Sequence, residues 1–394
     1  MINSHTTSLD KVNPGENAGS DTEPHPAEHG FFNRLYTGTG AVEVIGKRRM
    51  WYGITAAIVL IALGSMLVRG FDFGIDFEGG TRVQFPIGNA TVDEVEDVYH
   101  GAIGTDPVSV QTVGTGGSAT VLIRSEALDQ QQVEALNSAL FAAFQPKDSN
   151  GDPSMAAIST SDVSETWGSQ ITSKALIALA VFLALVAIYI RIRFELPMAI
   201  AALAALGFDL TVTAGVYSMV GFEVTPATVI GMLTILGFSL YDTVVVFDKV
   251  EENTRGILHL TRRTYGEQAN LAVNQTFMRS INTSLIGILP ILGLMVIAVW
   301  MLGVGTLKDL ALVQLVGLLV GTYSSIFFAT PLLVSIKERW GPVAAHTEKV
   351  LAKRAERGAK AARPDLGTVP RRQQTARAPQ PGARPSGKRH KRRH

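Results

Sequence analysis

The stretch at residues 237–250, GFSLYDTVVVFDKV, places a carboxylate in a run that is otherwise apolar enough to lie in a lipid bilayer. That carboxylate belongs to Asp242. Insertion scales put the cost of an aspartate at the centre of a spanning helix at about 2.5–3.5 kcal/mol. Ionisable residues inside membranes are rare and usually serve ion or proton pathways. We therefore expect a functional role for Asp242, against the alternative of a static ion pair between helices.

Two more charged residues belong to neighbouring apolar runs. Asp209 lies in ALGFDLTVTAG, and Arg279 begins the run in FMRSINTSLIGILP. Burial would favour the neutral form of Asp242, whereas a cation such as Arg279 would favour the charged form. A carboxylate balanced in this way could bind and release a proton. The polar residues expected to support it are Tyr241, Thr243, Asn282 and Ser239.

The residues around Asp242 are spaced for one face of a helix. Gly231, Ile235 and Ser239 precede it at intervals of four and three residues. Such spacing repeats about every turn of an α-helix, so their side chains share a face. We expect this face to form a path of small and polar groups leading to Asp242.

These residues require helices that span a membrane. Six apolar runs approach or exceed the roughly 20 residues that a spanning helix needs. A helix that is apolar all round suits a membrane better than the surface of a soluble core, which was the alternative. The runs lie at residues 51–68, 171–190, 197–220, 227–247, 283–302 and 310–336. The first follows about fifty polar residues without a small-x-small cleavage site, so we expect a signal anchor rather than a cleaved signal peptide.

The placement of Lys and Arg predicts the orientation. Basic residues cluster before run one, after runs two and six, and between runs four and five, which are all on the same side of a six-span protein. That side is predicted to be cytoplasmic, together with both termini. The segment 70–165, with only Arg82, Arg124 and Lys147 as basic residues, would then be extracytoplasmic.

Composition predicts the domains at the two ends. The chain has 394 residues, no Cys and a net charge of +1, but residues 351–394 are strongly basic. Residues 1–46 and 341–394 are expected to be disordered cytoplasmic segments because they are polar and hold few large apolar residues. The basic tail could bind anionic lipid or the ribosome. The first spanning helix is placed at 47–69 and the five-helix domain at 166–340.

The outer segment 70–165 shows the pattern of an α+β domain. Strands are predicted at 81–87, 108–114, 119–125 and 154–163, and helices at 91–104 and 129–144. The order β-α-β-β-α-β is that of a ferredoxin-like fold. The fold class is therefore an α-helical membrane protein with a 1 + 5 arrangement of spans and a ferredoxin-like domain after the first. One span before this domain and five after it are typical of one half of a paired transporter.

A glycine-rich motif, FDFGIDFEGG, follows the first span. Gly74, Gly79 and Gly80 permit backbone turns that other residues resist, and Asp76 keeps the chain out of lipid. From these residues alone, an ordinary loop leaving the membrane is an equal alternative to a functional motif.

Three sequence blocks together resemble the SecF family. They are FGIDFEGGT after the first span, GFSLYDTVVVFDKVEENTR in the fourth and RSINTSLIGILPIL in the fifth, and the resemblance covers residues 40–340. SecF proteins form the smaller half of the SecD–SecF pair of the resistance-nodulation-division superfamily. The resemblance implies a membrane subunit, not an enzyme, that uses the proton-motive force to promote late preprotein translocation.

The same resemblance implies residue roles and partners. Asp242 would carry the proton, Arg279 would be its charge partner and Asp209 a supporting acid. The implied partners are SecD, the SecYEG channel with SecA, YajC, the unfolded preprotein and membrane lipid. Phe208 and Tyr241 stand where the family often has His and Asn. No cofactor or metal motif is present, although sodium could replace the proton.

Two rival functions use the same carboxylates. An intramembrane aspartyl protease shares a proton between two aspartates, but its Gly-x-Gly-Asp motif is missing because Phe208 precedes Asp209. A proton-driven exporter of lipids or small molecules would have a similar membrane domain, but such exporters usually carry both halves in one chain.

Overall fold

The computed structural model describes residues 42–361, except 89, 116–118, 149, 304–305 and 340. Most of the two predicted disordered ends, at residues 1–41 and 362–394, lies outside the described residues, as do residues 116–118 between the second and third predicted strands. Within the described ranges, six helices are long and apolar enough to cross a membrane.

These six helices confirm the predicted 1 + 5 plan. We call them spans one to six: Arg48–Arg69, Thr166–Arg193, Leu196–Val220, Pro226–His259, Tyr265–Met301 and Leu307–Arg339. As helices, spans one to three are α1 (Arg48–Arg69), α5 (Glu165–Arg193) and α6 (Leu196–Val220), and span four holds α7 (Pro226–Thr254). Span five is α8 (Tyr265–Gly293), which continues as a π-helix at Leu294–Met301. Span six comprises α9 (Thr306–Ser324), a π-helical segment at Ser325–Ala329 and α10 (Thr330–Arg339).

Local sequence explains where spans four and five begin. Thr225 caps α7 and accepts a hydrogen bond from the backbone of Thr228. Thr264 caps α8, and its capping box with Glu267 satisfies two backbone donors at the helix start. Such caps stabilise a helix end by about 1 kcal/mol. They extend both helices beyond the apolar runs from which they were predicted.

Span three lies at the centre of the helical bundle. In the most apolar 18-residue stretch of span three, 56% of the residues are buried, against 11% in the corresponding stretches of spans one and two. A Cβ atom added at Gly215 of span three would lie 2.3 Å from Cβ of Ala62 in span one, so these two backbones approach closely. Spans one and two therefore lie at the periphery and leave much apolar surface for lipid or a partner.

The outer segment folds as predicted. Its four-stranded sheet has the order β3-β4-β2-β5, and all neighbours are antiparallel. The strands are β2 (Gly80–Pro86), β3 (Ser109–Val113), β4 (Thr120–Ser125) and β5 (Ser159–Val163), and the helices are α3 (Val92–Ile103) and α4 (Gln130–Phe144). This order is that of the ferredoxin-like split motif. The last strand is shorter than predicted because Met155–Ala157 form a 3₁₀ turn.

The two helices cover one face of the sheet. Val83, Phe85 and Ile123 of the sheet are buried against Leu136 of α4 and Tyr99 of α3. Residues alternate between the two faces of a strand, so Arg82 and Arg124 point to the opposite face. A short strand β1 (Asp72–Phe73) and a helical turn α2 (Ile75–Glu78) connect span one to this domain.

The predicted disorder at residues 341–361 is wrong. These residues form helix α11 (Pro342–Ala361), which packs against the loop between spans four and five. Val343, His346 and Val350 recur at helical spacing and are buried, while the other positions are largely charged or small. The prediction of disorder rested on the high Lys/Arg content and did not consider the spacing of these three residues. Their buried stripe is enough to hold the helix on the bundle.

The end of the predicted disordered N-terminal segment, residues 42–46, is also ordered. The backbone amide of Val42 donates to Asn274 Oδ1, and the amides of Val44 and Ile45 donate to Asn270 Oδ1. Two amide side chains one turn apart on α8 therefore satisfy backbone amides of this turn-forming segment, which composition alone did not indicate.

Candidate functional site

Asp242 lies at the junction of three helices. It is 4% exposed and projects from span four. Ser280 of span five donates to its Oδ1 at 2.6 Å, and Ser325 of span six donates to its Oδ2 at 2.5 Å. Hydrogen bonds to a charged acceptor are stronger than neutral ones, typically by about twofold. The two serines therefore stabilise a charged Asp242 and connect it to both neighbouring spans.

Asp209 lies deeper in the bundle and has a different environment. It is 1% exposed, and its Oδ2 accepts a hydrogen bond of 2.5 Å from Ser239 of span four. Its Oδ1 has no partner among the residues that the structure describes. Ser239 and Asp242 are three residues apart on span four, so they lie within one helical turn of each other. One turn of span four therefore both donates to Asp209 and carries Asp242.

Further hydroxyl groups surround the Asp242 site. Ser284 Oγ donates to the carbonyl of Ser280 and lies 2.6 Å from Thr322 Oγ1. The carbonyl of Thr322 accepts a second contact from Ser325 Oγ at 3.1 Å. Together with Asp242, Ser280, Ser284, Thr322 and Ser325 thus form a closed polar ring across spans four, five and six. A change in the charge of Asp242 would alter bonds to two helices at once.

Span six approaches span four closely along the path to the site. An added Cβ at Gly317 would lie 2.4 Å from Ile235 Cγ2, and one at Gly321 would lie 2.8 Å from Ser239 Cβ. The predicted face of span four is confirmed, since Gly231, Ile235, Ser239 and Asp242 are all buried. Close glycine contacts let helices pack tightly in a membrane without bulky side chains.

A π-helical segment places Ser325 at the site. It covers Ser325–Ala329, and Thr330 Oγ1 donates to the carbonyl of Ser325 across it. π-Helical turns inside α-helices are rare and occur frequently at functional sites. The segment begins at the residue that bonds Asp242, so the irregular geometry of span six coincides with the site.

No direct salt bridge joins Arg279 and Asp242 in the described part of the chain, so their charge partnership stays a prediction. The guanidinium of Arg279 instead donates to the hydroxyl of Tyr241 at 3.3 Å, and both side chains are exposed. Arg279 and Ser280 are adjacent on a helix, so their side chains diverge by about 100°. The serine faces inward and the arginine faces the surface of the bundle.

The supporting polar residues separate into two groups. Ser239 and Thr243 are buried, and Ser239 contacts Asp209 as described above. Asn282 is exposed, as are Tyr241 and Arg279. We call the exposed set Tyr241, Arg279 and Asn282 the polar membrane face. Such groups are costly to leave in hydrocarbon, so this face is suited to contact with another protein.

Phe208 occupies a packing position beside Asp209. Its ring centroid lies 5.4 Å from that of Phe328 and 5.9 Å from that of Tyr323. It is therefore part of an aromatic cluster between spans three and six, and it contributes no polar group to the site.

The glycine motif after span one fits tightly against its surroundings. Gly80 has φ of 122°, and an added Cβ there would lie 2.4 Å from the carbonyl oxygen of Ser125. Gly79 ends helix α2 with φ of 85°. Asp76 lies 3.8 Å from Arg82. The motif therefore forms the turn by which the chain enters strand β2, while Gly74 lies against Glu223 at the outer end of the bundle.

Sequence reasoning missed the roles of Ser280 and Ser325. Both stood among many hydroxyl residues in the apolar runs, and only their positions across the bundle distinguish them. In span four, helical spacing alone identified Ser239. No group of three or more His, Cys, Asp or Glu residues that could hold a metal occurs within the described ranges.

Together, the six spans in a 1 + 5 arrangement and the outer split sheet define a multi-pass membrane protein with a buried carboxylate between spans four, five and six. The family described as "Protein export membrane protein SecD/SecF, C-terminal" matches residues 144–339, and the "SecD/SecF GG Motif" matches residues 64–90. The chain belongs to the SecF family of protein translocase subunits.

Curated relatives extend over most of the chain. It is 60% identical to protein translocase subunit SecF of Mycobacterium tuberculosis, covering 93% of this chain and 88% of that protein. It is 44% identical to the SecF of Streptomyces coelicolor over 83% of this chain and 85% of that protein.

A solved structure shows the same arrangement within a longer chain. The crystal structure of SecDF from Thermus thermophilus, described as a translocon-associated membrane protein, superposes with a TM-score of 0.64 at 30% identity. The superposition covers 76% of this chain but only 39% of SecDF. This chain therefore corresponds to one part of a protein in which the two halves are joined.

Proposed function

We propose that this protein is an accessory subunit of the Sec export machinery that, together with SecD, uses the proton-motive force to promote late translocation of preproteins. The family relationship supports the export role. The observation that carries the energy-coupling role is the position of Asp242, which is buried in the bundle with one oxygen bonded from span five and the other from span six.

Protonation of Asp242 would change the packing of these spans. When charged, the carboxylate accepts hydrogen bonds from Ser280 and Ser325 and holds spans five and six against span four. When neutral, it loses the charge-assisted part of both bonds, which are worth about 1.5–3 kcal/mol each to a charged group. A difference of this size is enough to shift a two-state equilibrium by more than tenfold. A proton that enters from one side and leaves to the other would thus drive a cycle of helix movement.

The polar membrane face supports SecD as the partner. Tyr241, Arg279 and Asn282 are exposed at the depth of the site, where a second membrane domain would cover them. The SecDF relative, in which both names belong to one chain, supports this pairing. Arg279 would then meet an acidic group of SecD rather than Asp242 of its own chain.

The remaining partners follow from the export role. We propose that the pair works beside the SecYEG channel and SecA in the cytoplasmic membrane, with YajC as a further subunit and the unfolded preprotein as the substrate. Both termini and helix α11 would be cytoplasmic, because basic residues concentrate on that side. The outer sheet would face the emerging polypeptide.

The rival functions have less support. A protease dyad would require a hydrogen bond between the two carboxylates. Asp209 and Asp242 are instead bonded by different serines, and within the described residues no hydrogen bond joins them. An exporter of lipids or small molecules would need its own second half, and the family relationship favours protein export instead.

Export from cells with and without this subunit tests the proposal. A secreted reporter should be exported faster in cells that carry the chain together with SecD, and a protonophore should abolish that gain. Equal export rates with and without the subunit, at normal abundance of SecD and SecYEG, would contradict it.

The coupling ion can be tested in the same cells. We propose the proton as the coupling ion. Because carboxylates and hydroxyls could also bind sodium, the test compares a protonophore with a sodium ionophore. Loss of the export gain only with the sodium ionophore would assign the site to sodium.

A further inference from the structure

The outer domain is attached to the membrane domain at a small, well-defined joint. Strand β1 (Asp72–Phe73) pairs in parallel with β6 (Glu223–Val224), which lies in the loop between spans three and four. The backbone amide of Gly74 also donates to the carbonyl of Val224 at 2.8 Å. The chain that enters the outer sheet is thus bonded to the residues that immediately precede span four.

A charged cluster lies at this joint. Arg82 and Arg124 are directly opposite each other on strands β2 and β4 and extend from the sheet face that α3 and α4 leave uncovered. Glu223 lies between them, 3.1 Å from Arg82 and 3.8 Å from Arg124. Their side chains are only 16%, 11% and 9% exposed, in that order. Like charges placed opposite each other on a sheet repel, so a carboxylate between them is needed.

The absence of a side chain at Gly74 leaves space for the Glu223 carboxylate. A Cβ atom added at Gly74 would lie 2.7 Å from Glu223 Oε1, so any larger residue would displace Glu223. Arg124 also donates to the carbonyl of Phe73 at 2.6 Å, which ties strand β4 to strand β1. Two of the three basic residues in segment 70–165 therefore converge on one acidic residue of the membrane domain.

The joint leads directly to the proposed coupling site. Glu223 lies three residues before Pro226, where span four begins, and its carbonyl accepts a hydrogen bond from Thr228 of that span. The same helix carries Ser239 and Asp242. A second contact joins Thr115 of the outer domain to the carbonyl of Trp300 at the end of span five. Span four, which carries Asp242, and span five, which donates a hydrogen bond to it, therefore both contact the outer domain at the ends far from Asp242.

We infer that Glu223, Arg82 and Arg124 form a closed, rigid joint, so that the outer domain moves with the outer end of span four as a single body. In this role Glu223 is a positioning residue that transmits movement from Asp242 to the outer domain, an inference that rests on the proposed function. The joint stays closed during the cycle, because separation would leave the buried Glu223 carboxylate without Arg82 and Arg124, its two ionic partners at this joint.

Paired cysteines test whether the joint stays closed. The chain has no Cys, so Phe73→Cys with Val224→Cys introduces a single pair of thiols at residues that are register partners. Oxidation by copper phenanthroline and oxygen removes two electrons and two protons from the thiols and forms a disulfide. We expect the disulfide to form readily and to leave proton-stimulated export unchanged. Loss of that stimulation, restored by dithiothreitol, would show that the joint must open and would overturn the inference.

The charge of Glu223 is tested in the same paired-cysteine background. Glu223→Gln keeps the shape of the side chain but removes the charge, so we expect disulfide formation to slow by about tenfold. Proton-stimulated export should fall in the reduced protein and recover once the disulfide forms, because a covalent bond then replaces the ionic contacts. Glu134→Gln, on the exposed side of α4, is the matched control and should change neither readout.

The two readouts separate the joint from the export function. Disulfide formation reports the closure of the joint even if export does not respond to the gradient. An unchanged rate of disulfide formation in Glu223→Gln would overturn the role of Glu223. Slower disulfide formation with no recovery of export in the crosslinked variant would overturn the transmission role while leaving the proposed function intact.

Discussion

At the scale of single residues, serine hydroxyls bond both of the buried carboxylates on which the proposed coupling depends. Asp242 is bonded by one serine from span five and another from span six, whereas Asp209 is bonded by a single serine, Ser239, among the residues that the structure describes. Asp242 can therefore act on two helices through one protonation event. Asp209 accepts a hydrogen bond from the helix that carries Asp242, which is compatible with the proposed supporting role.

Removing one serine should weaken coupling without unfolding the protein. We expect Ser325→Ala to reduce proton-stimulated export severalfold, since it removes a charge-assisted bond worth about 1.5–3 kcal/mol to the charged carboxylate. Thr283→Ala is the control, because within the described ranges its hydroxyl bonds only the carbonyl of Arg279 on its own helix. Export rates of the two variants at equal abundance make the comparison, and equal rates would remove Ser325 from the mechanism.

Sequence alone identified the carboxylates at this scale but not their partners. An aspartate in an apolar run is conspicuous because its cost in the membrane is high. Serine and threonine are common in spanning helices, so nothing in the sequence separates Ser325 from its neighbour Ser324. Arg279 was placed beside Asp242 by charge alone, whereas the helix direction turns it to the bundle surface.

At the scale of elements, the packing of spans four and six determines the geometry of the site. Gly317 and Gly321 let span six approach Ile235 and Ser239. The apolar runs predicted all six spans, since length and hydropathy are sufficient for that purpose. They did not predict the π-helical segments, which arise from packing between spans.

An enlarged residue at this contact should separate the two spans. We expect Gly317→Ala to lower the stability of the protein in detergent by about 1–3 kcal/mol, because the added methyl would overlap Ile235. Gly237→Ala in span four is the matched control, since an added Cβ there meets no atom within 4 Å. Thermal unfolding of both variants measures the difference, and an equal midpoint would show that the contact can relax.

Helix α11 is the element for which composition wrongly predicted disorder. Arg354 makes bonds of 2.5 and 2.7 Å to the two carboxylate oxygens of Glu267, and Val350 is fully buried beneath the helix. We expect Val350→Asp to release the helix from the bundle and to speed tryptic cleavage at Lys353 and Arg354. The neighbouring Leu351→Asp changes an exposed position and should leave cleavage slow. Equal cleavage of the two variants would mean that the helix is not held by its apolar stripe.

At the scale of the whole molecule, the protein has the form of one half of a larger assembly. Spans one and two are mostly exposed, and the polar membrane face places three polar side chains at the surface of an apolar bundle. The 1 + 5 plan could be predicted from the sequence because it depends on apolar runs. The attachment of the outer sheet could not, because Arg82, Arg124 and Glu223 meet across about 140 residues of chain.

A single cysteine on the polar membrane face should locate SecD. We expect Asn282→Cys to crosslink to SecD in native membranes, since the proposed partner covers this face. Val181→Cys on span two is also exposed, at the periphery of the bundle, and serves as the control. Crosslinking to SecD from position 181 but not from position 282 would place the interface on span two and would contradict the proposed one.

The most direct test of the central claim compares Asp242→Asn with Asp248→Asn. Both substitutions remove a carboxylate from span four, but Asp242 is buried, whereas Asp248 is only half-buried and contacts Arg193. Export of a secreted protein is measured with and without a proton gradient, at equal abundance of each variant with SecD. Our account predicts that Asp242→Asn abolishes the gain from the gradient while Asp248→Asn retains it. An undiminished gain in an assembled Asp242→Asn complex would show that Asp242 is structural and that energy enters elsewhere.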